Sequence, residues 1–142
     1  MPQLKGSRIL RHPIEKVFRL ALNLEEYPRI LPYIQKVSIN ERSENHLVAD
    51  LSLGLRSIAF TYTCTISFKE NEKITVTSNS ALFKSFRSEC VFEKLDKQTT
   101  RIFYELDASF KNKLLEIPAK LALPIQTLST INAFERYLNR AT

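Results

Sequence analysis

The stretch "SIAFTYTCTISF" (Ser57 to Phe68) alternates without a break. Ile58, Phe60, Tyr62, Cys64, Ile66 and Phe68 share one parity, and Ala59, Thr61, Thr63, Thr65 and Ser67 the other. Successive side chains of an extended chain point to opposite faces. The stretch therefore reads as a long antiparallel strand with one apolar face, which a second layer has to cover.

The same period of two recurs on both sides of it. "KVSINERSENHLVADLSLGL" (Lys36 to Leu55) offers Val37, Ile39, Leu47, Ala49, Leu51, Leu53 and Leu55 as inward positions, with the polar run "NERSENH" as a turn. "KENEK" turns the chain again, and "ITVTSNS" is a further strand. "KSFRSECVFEKL" places Phe86, Ser88, Cys90 and Phe92 on one face. After the turn "DKQT", "RIFYELDASF" directs Ile102, Tyr104, Leu106, Ala108 and Phe110 inward.

Helical spacing appears at the two ends. "QLKGSRILR" reads as a first strand, and residues 13–23 as an amphipathic helix carrying Ile14, Val17, Phe18, Ala21 and Leu22. Pro13 suits its first position. The last 30 residues carry a stripe of Leu121, Ile125, Leu128, Ile131, Phe134 and Leu138, which predicts a long helix with that stripe buried. Pro118 and Pro124 each remove a donor, so a kink or a broken first turn is expected there.

The layout is a strand, a helix, about six antiparallel strands and a long helix, in a single α+β domain over residues 1–142. One long and one short helix have a wide, curved sheet to cover. Small inward residues (Ala49, Ser78, Ser88, Cys90 and Ala108) leave space between the layers where their neighbours do not fill it, the alternative being an ordinary packed core. The expected cavity is lined by Leu51, Leu53, Phe60, Tyr62, Phe86, Tyr104, Leu106, Leu121, Ile125 and Leu128.

"EEYPRILPYIQKV" (Glu25 to Val37) has two prolines four apart in a segment too apolar for a solvated loop. Proline disfavours a helix interior, so the segment is not expected to lie in the middle of a helix.

Chemistry-bearing residues are few. There are two glycines, Gly6 and Gly54, and no phosphate-binding loop. His12 precedes a helix and His46 lies in a turn. Asp50, Glu89, Glu105 and Asp107 alternate outward, so no inward carboxylate pair is available for acid–base work. No catalytic residue, metal site or cofactor is expected. Tyr62 and Tyr104 remain as inward hydroxyls, either satisfied within the core or donating to a ligand carbonyl. Cys64 and Cys90 lie on strands not expected to be neighbours, so both are expected to be reduced.

The net charge of +6 and pI of about 9.4 favour anionic lipid surfaces or RNA. The first 40 residues carry seven Lys and Arg against three acids. No run approaches the length of a membrane-spanning helix. "MPQLKGSRIL" has no apolar core of a signal peptide, so the expected location is the bacterial cytoplasm.

Four stretches together carry a resemblance. "SRILRHPIEKVFRLALNLEEYPRILPY" resembles the opening of the coenzyme Q-binding family, which is grouped with bacterial ribosome-association toxins. "ADLSLGL", "FKNKLLE" and "AFERY" resemble its later strand and helix junctions. Both groups lie within the START-like lipid-binding and polyketide cyclase superfamily. Tyr33 stands where that family usually has Trp, and "SALFKSF" lacks its Gly-Pro.

The resemblance implies a helix-grip fold, a curved antiparallel sheet wrapped around the long C-terminal helix. In that fold Tyr27, Pro28, Leu31, Pro32 and Tyr33 would lie at the cavity mouth, either as a plug for the end of the core or as a gate for a ligand. It implies a non-enzymatic carrier or chaperone that binds ubiquinone or a similar prenylated lipid and supports respiration. The basic surface and the hairpin "ALFKSF" would then dock peripherally on the anionic inner face of a membrane. It equally implies a translation inhibitor of a toxin–antitoxin pair that binds the large ribosomal subunit. A cyclase-like enzyme is the third implication.

Overall fold

The computed structural model describes residues 3–55 and 58–140, and their side chains other than those at 3, 55, 58, 60 and 115–126. The chain runs β1 (Gln3–Leu10), α1 (Ile14–Leu22), a 3-10 turn (Leu24–Glu26), α2 (Tyr27–Ile30), β2 (Ile34–Arg42), β3 (His46–Leu55), β4 (Ile58–Lys69), β5 (Lys73–Thr77), β6 (Phe83–Asp96), β7 (Thr99–Phe110) and α3 (Lys113–Arg140). The seven strands form one antiparallel sheet in the order β1-β7-β6-β5-β4-β3-β2. After β1 the chain crosses to the far edge through α1 and α2, then meanders back until β7 pairs with β1. The inward parity is the one the sequence predicts. Ala49, Leu51, Cys64, Ile66, Phe92, Ile102 and Ala108 are all buried.

Pro13 stands one place earlier than expected, as the residue capping α1. Its carbonyl accepts the amides of Lys16 and Val17, each at 3.1 Å. Its φ of −60° and ψ of 146° suit a chain entering a helix. Ile14, Val17 and Phe18 form the buried face, and Phe18 packs edge-on against Phe92 of β6 at 5.2 Å.

The double-proline segment does not lie in a helix interior, and Tyr27–Ile30 is a single helical turn. Pro28 lies in its first turn, where no intrahelical partner exists for the missing N–H. Pro32 follows the helix, and Leu31 is extended. The predicted "NERSENH" turn is also shorter, since β2 continues to Arg42 and His46 already opens β3.

α3 bears on two more expectations. It runs as helix through Pro118 and Pro124, so of the kink or broken first turn expected there, the broken turn does not form. Asn112 caps it, its Oδ1 accepting the amide of Leu114 at 2.9 Å. Leu128, expected on the buried stripe, is 52% exposed. The described part of the buried stripe is Ile131, Ala133 and Leu138 with half-buried Phe134, and Leu128 lies off it. Leu121 and Ile125 lie outside the described side chains.

Polar contacts fix the C-terminal half of α3 to the strand and helix at the start of the chain. Arg8, on the inner face of β1, donates to Glu135 Oε1 at 3.0 Å and to Asn132 Oδ1 at 3.2 Å. His12 Nε2 meets Asn139 Oδ1 at 2.7 Å, and Lys16 Nζ donates to the Leu138 carbonyl at 3.2 Å. Buried Thr100 donates to the His12 carbonyl at 2.8 Å. Charge-assisted bonds in partly buried positions are the stronger kind, so this end of the helix is firmly held.

Candidate functional site

The antiparallel register gathers several segments at one end of the sheet. The starts of β2, β4 and β6 meet the ends of β3, β5 and β7 there, together with the start of α3. The Leu31–Tyr33 segment joins them, since the Tyr33 carbonyl accepts the Gly54 amide at 2.9 Å. This end is the expected mouth. His12 and His46 lie at the opposite end, beside Thr100 and Ser67 respectively.

Four rings meet on the inner face just inside the mouth. Tyr62 of β4 packs perpendicular to Phe83 at 5.4 Å and lies 6.0 Å from Phe86. Phe83 is 4.9 Å from Phe86 and 5.2 Å from Phe110. The alternation predicted Tyr62, Phe86 and Phe110 as inward. It missed Phe83, which has the opposite parity from Phe86 but points the same way. The register of β6 on β7 slips between Phe83 and Ser85, and the extra residue returns Phe83 to the inner face. A similar slip between Ile34 and Lys36 lets Ile34 and Val37 share that face.

The mouth segment is divided in its exposure. Leu31 is 2% exposed and belongs to the core. Pro32 is exposed, while Tyr27, Pro28 and Tyr33 are half-buried. The Tyr27 hydroxyl donates to the Ala21 carbonyl at 2.5 Å, and its ring packs edge-on to Phe134 of α3 at 5.3 Å. The Tyr33 hydroxyl is hydrogen-bonded to Thr130 of α3. Thr130 carries no sequence signal; only the helix–sheet contact reveals it.

Of the expected lining residues, Leu51 is buried, and Leu53, Tyr62, Phe86, Tyr104 and Leu106 are half-buried on the inner face. Tyr104 lies over Gly6 of the paired strand, the only residue type that leaves room for its ring. Phe60 lies outside the described side chains.

Burial keeps the inner titratable groups neutral. It pushes the Cys64 and Cys90 thiols up to about 12, and the Tyr27 and Tyr62 hydroxyls above their ordinary range. Both cysteines are free, on strands separated by β5. Asp50 points outward, and hydrogen bonds from Thr63 and then Asn40 hold its carboxyl below the usual range. Among the described residues no cluster of His, Cys, Asp and Glu could hold a metal, and no helix is long and apolar enough to cross a membrane. The inner face near the mouth is therefore apolar and aromatic, with uncharged hydroxyls and thiols.

Residues 10–135 match the family described as polyketide cyclase / dehydrase and lipid transport. The chain belongs to this family. It is 26% identical to the ribosome association toxin RatA of Vibrio cholerae over 136 residues, which is 96% of this chain and 94% of the toxin. It is 24% identical to a mitochondrial coenzyme Q-binding protein of Dictyostelium discoideum, over 92% of this chain and 65% of that one. Among solved structures, the Zhui aromatase/cyclase of a Streptomyces species superposes with a TM-score of 0.87 at 14% identity, covering 97% of this chain and 93% of that one. A START superfamily protein of Mycobacterium smegmatis gives 0.86 at 15% identity over 99% of both chains. The fold is thus the START-like helix-grip, as the resemblance implied.

Proposed function

We propose that this family member is a carrier or chaperone for a prenylated quinone such as ubiquinone, held between the sheet and α3. The observation that carries the reading is the inner face near the mouth. It joins the Tyr62, Phe83, Phe86 and Phe110 rings to hydroxyls and thiols that burial keeps protonated. A prenylated quinone has a long apolar tail, two carbonyl acceptors and no charge. Each CH₂ of the tail removed from water contributes about 0.8 kcal/mol. Neutral donors suit the carbonyls, where a buried carboxylate would oppose them. The likeness to a coenzyme Q-binding protein supports the ligand class. The reading assigns no catalytic residue.

Similarity to the ribosome association toxin along nearly the whole chain, with a net charge of +6, favours a second reading. In it the chain contacts the large ribosomal subunit. Organic extraction of the purified protein followed by mass spectrometry tests the first reading. A prenylated quinone in stoichiometric amount is expected. An extract without lipid, from a protein that co-sediments with the large subunit, would establish the second.

A further inference from the structure

We propose that the mouth rim is a docking surface for an anionic lipid bilayer, with Leu114 as its apolar anchor. The proposal rests on the carrier reading above, since a carrier has to load and unload at a membrane.

Two loops make the rim. The β5–β6 loop carries Ala81 and Leu82, and the β7–α3 turn carries Lys111 and Asn112. A hydrogen bond from the Lys111 amide to the Leu82 carbonyl at 3.2 Å joins them. The first loop is held in shape. Ser78 donates to the Thr63 carbonyl at 2.6 Å, and the Phe83 amide to the Ser80 carbonyl at 3.1 Å. The Asn112 cap holds the first turn of α3, where Leu114 stands 82% exposed. Leu82 is half-buried and Ala81 exposed beside it.

A single exposed leucine is ordinary. Exposed Lys84, Lys111 and Lys113 stand on the same two segments. None of the three lysines is ion-paired among the described residues; segments 78–86 and 109–114 contain no acid, and the first acid after them is Glu116. Lysines on the same rim as an exposed apolar residue match an anionic headgroup layer over hydrocarbon. RNA phosphates would suit the lysines but give the leucine nothing. The same end leads inward to the Phe83, Phe86 and Phe110 rings, so a bilayer docked here faces the cavity mouth.

Flotation with quinone-free vesicles tests this, comparing phosphatidylcholine alone with phosphatidylcholine containing about one-third phosphatidylglycerol. The wild type is expected to float with the anionic vesicles only, and less as salt rises. Replacing each of Lys84, Lys111 and Lys113 with Ser should weaken binding roughly fivefold per lysine. Leu114→Ser should weaken it by about tenfold without altering the thermal melt, because the side chain is already in water. Equal binding to neutral vesicles, or an unchanged Leu114→Ser variant, overturns the docking surface. Loss of large-subunit binding in the lysine variants, with Leu114→Ser silent there and no vesicle binding, overturns it in favour of RNA. Lipid extraction from the same preparation separates the two proposals. Flotation without extractable lipid rejects the carrier and keeps the docking surface, and extractable lipid without flotation does the reverse.

Discussion

Gly6 has no side chain because the ring of Tyr104 already occupies the space. A Cβ there would stand 2.3 Å from the tyrosine Oη and 2.5 Å from its Cζ, well inside contact distance. The ring is stiff and half-buried, so it has to swing off the inner face or push β1 outward. Gly6→Ala is expected to cost about 1–3 kcal/mol, the usual penalty for overpacking. Tyr104→Ala should relieve it. In a double-mutant cycle read by urea denaturation, Gly6→Ala should then cost clearly less in the Tyr104→Ala background. Additive losses would show that the two residues are not opposed. The sequence placed Tyr104 inward but not against Gly6, because strand pairing between residues about a hundred positions apart leaves no local trace. Arg8 was hidden for the same reason. Its inner parity is visible, but its partners Asn132 and Glu135 lie at the other end of the chain.

Between the elements, the α2 segment decides between plug and gate. Leu31 is 2% exposed and packs with the core, whereas Tyr33 reaches α3 through its hydroxyl. Leu31→Ala should therefore behave as a core truncation and lower stability by about 2–5 kcal/mol. Tyr33→Phe removes one hydrogen bond and should cost only about 0.5–1.5 kcal/mol. Thermal melts of both variants check this, and a Leu31→Ala loss no larger than that of Tyr33→Phe would remove Leu31 from the plug. The prolines here were legible as barriers to a helix interior, but the single turn they permit was not. A helix of one turn has no interior, so Pro28 breaks no bond in it. The bulges in β2 and β6 were not legible at all. Alternation carries a parity forward from residue to residue, and one unpaired residue reverses it. That reversal is what moves Phe83 into the ring cluster.

For the whole molecule, the buried thiols and hydroxyls set a dependence on alkaline pH. Cys64 and Cys90 rise from an ordinary 9.0 to about 12 because burial penalises the thiolate. Between those values the folded chain keeps protons that the unfolded chain releases, so stability falls as pH rises through the window. Tyr27 and Tyr62, also raised by burial, deepen the loss above their ordinary 10.0. The urea midpoint should hold below about pH 8 and decline steadily from about pH 9. Replacing both cysteines with Ala should soften the early part of that decline; an unchanged curve would mean the thiols are not what burial holds neutral. At this scale the residue pattern was enough for the antiparallel sheet, the face each strand buries away from its bulges and the presence of a long closing helix. Those follow from periods of two and 3.6, which are set by bonds between neighbouring residues. Packing settled the strand order, the register slips of β2 and β6, the turn of α3 that leaves Leu128 in water, and the convergence of rings, hydroxyls and lysines at one end. Those depend on packing between segments far apart in the chain, where no local pattern of residues specifies which one meets which.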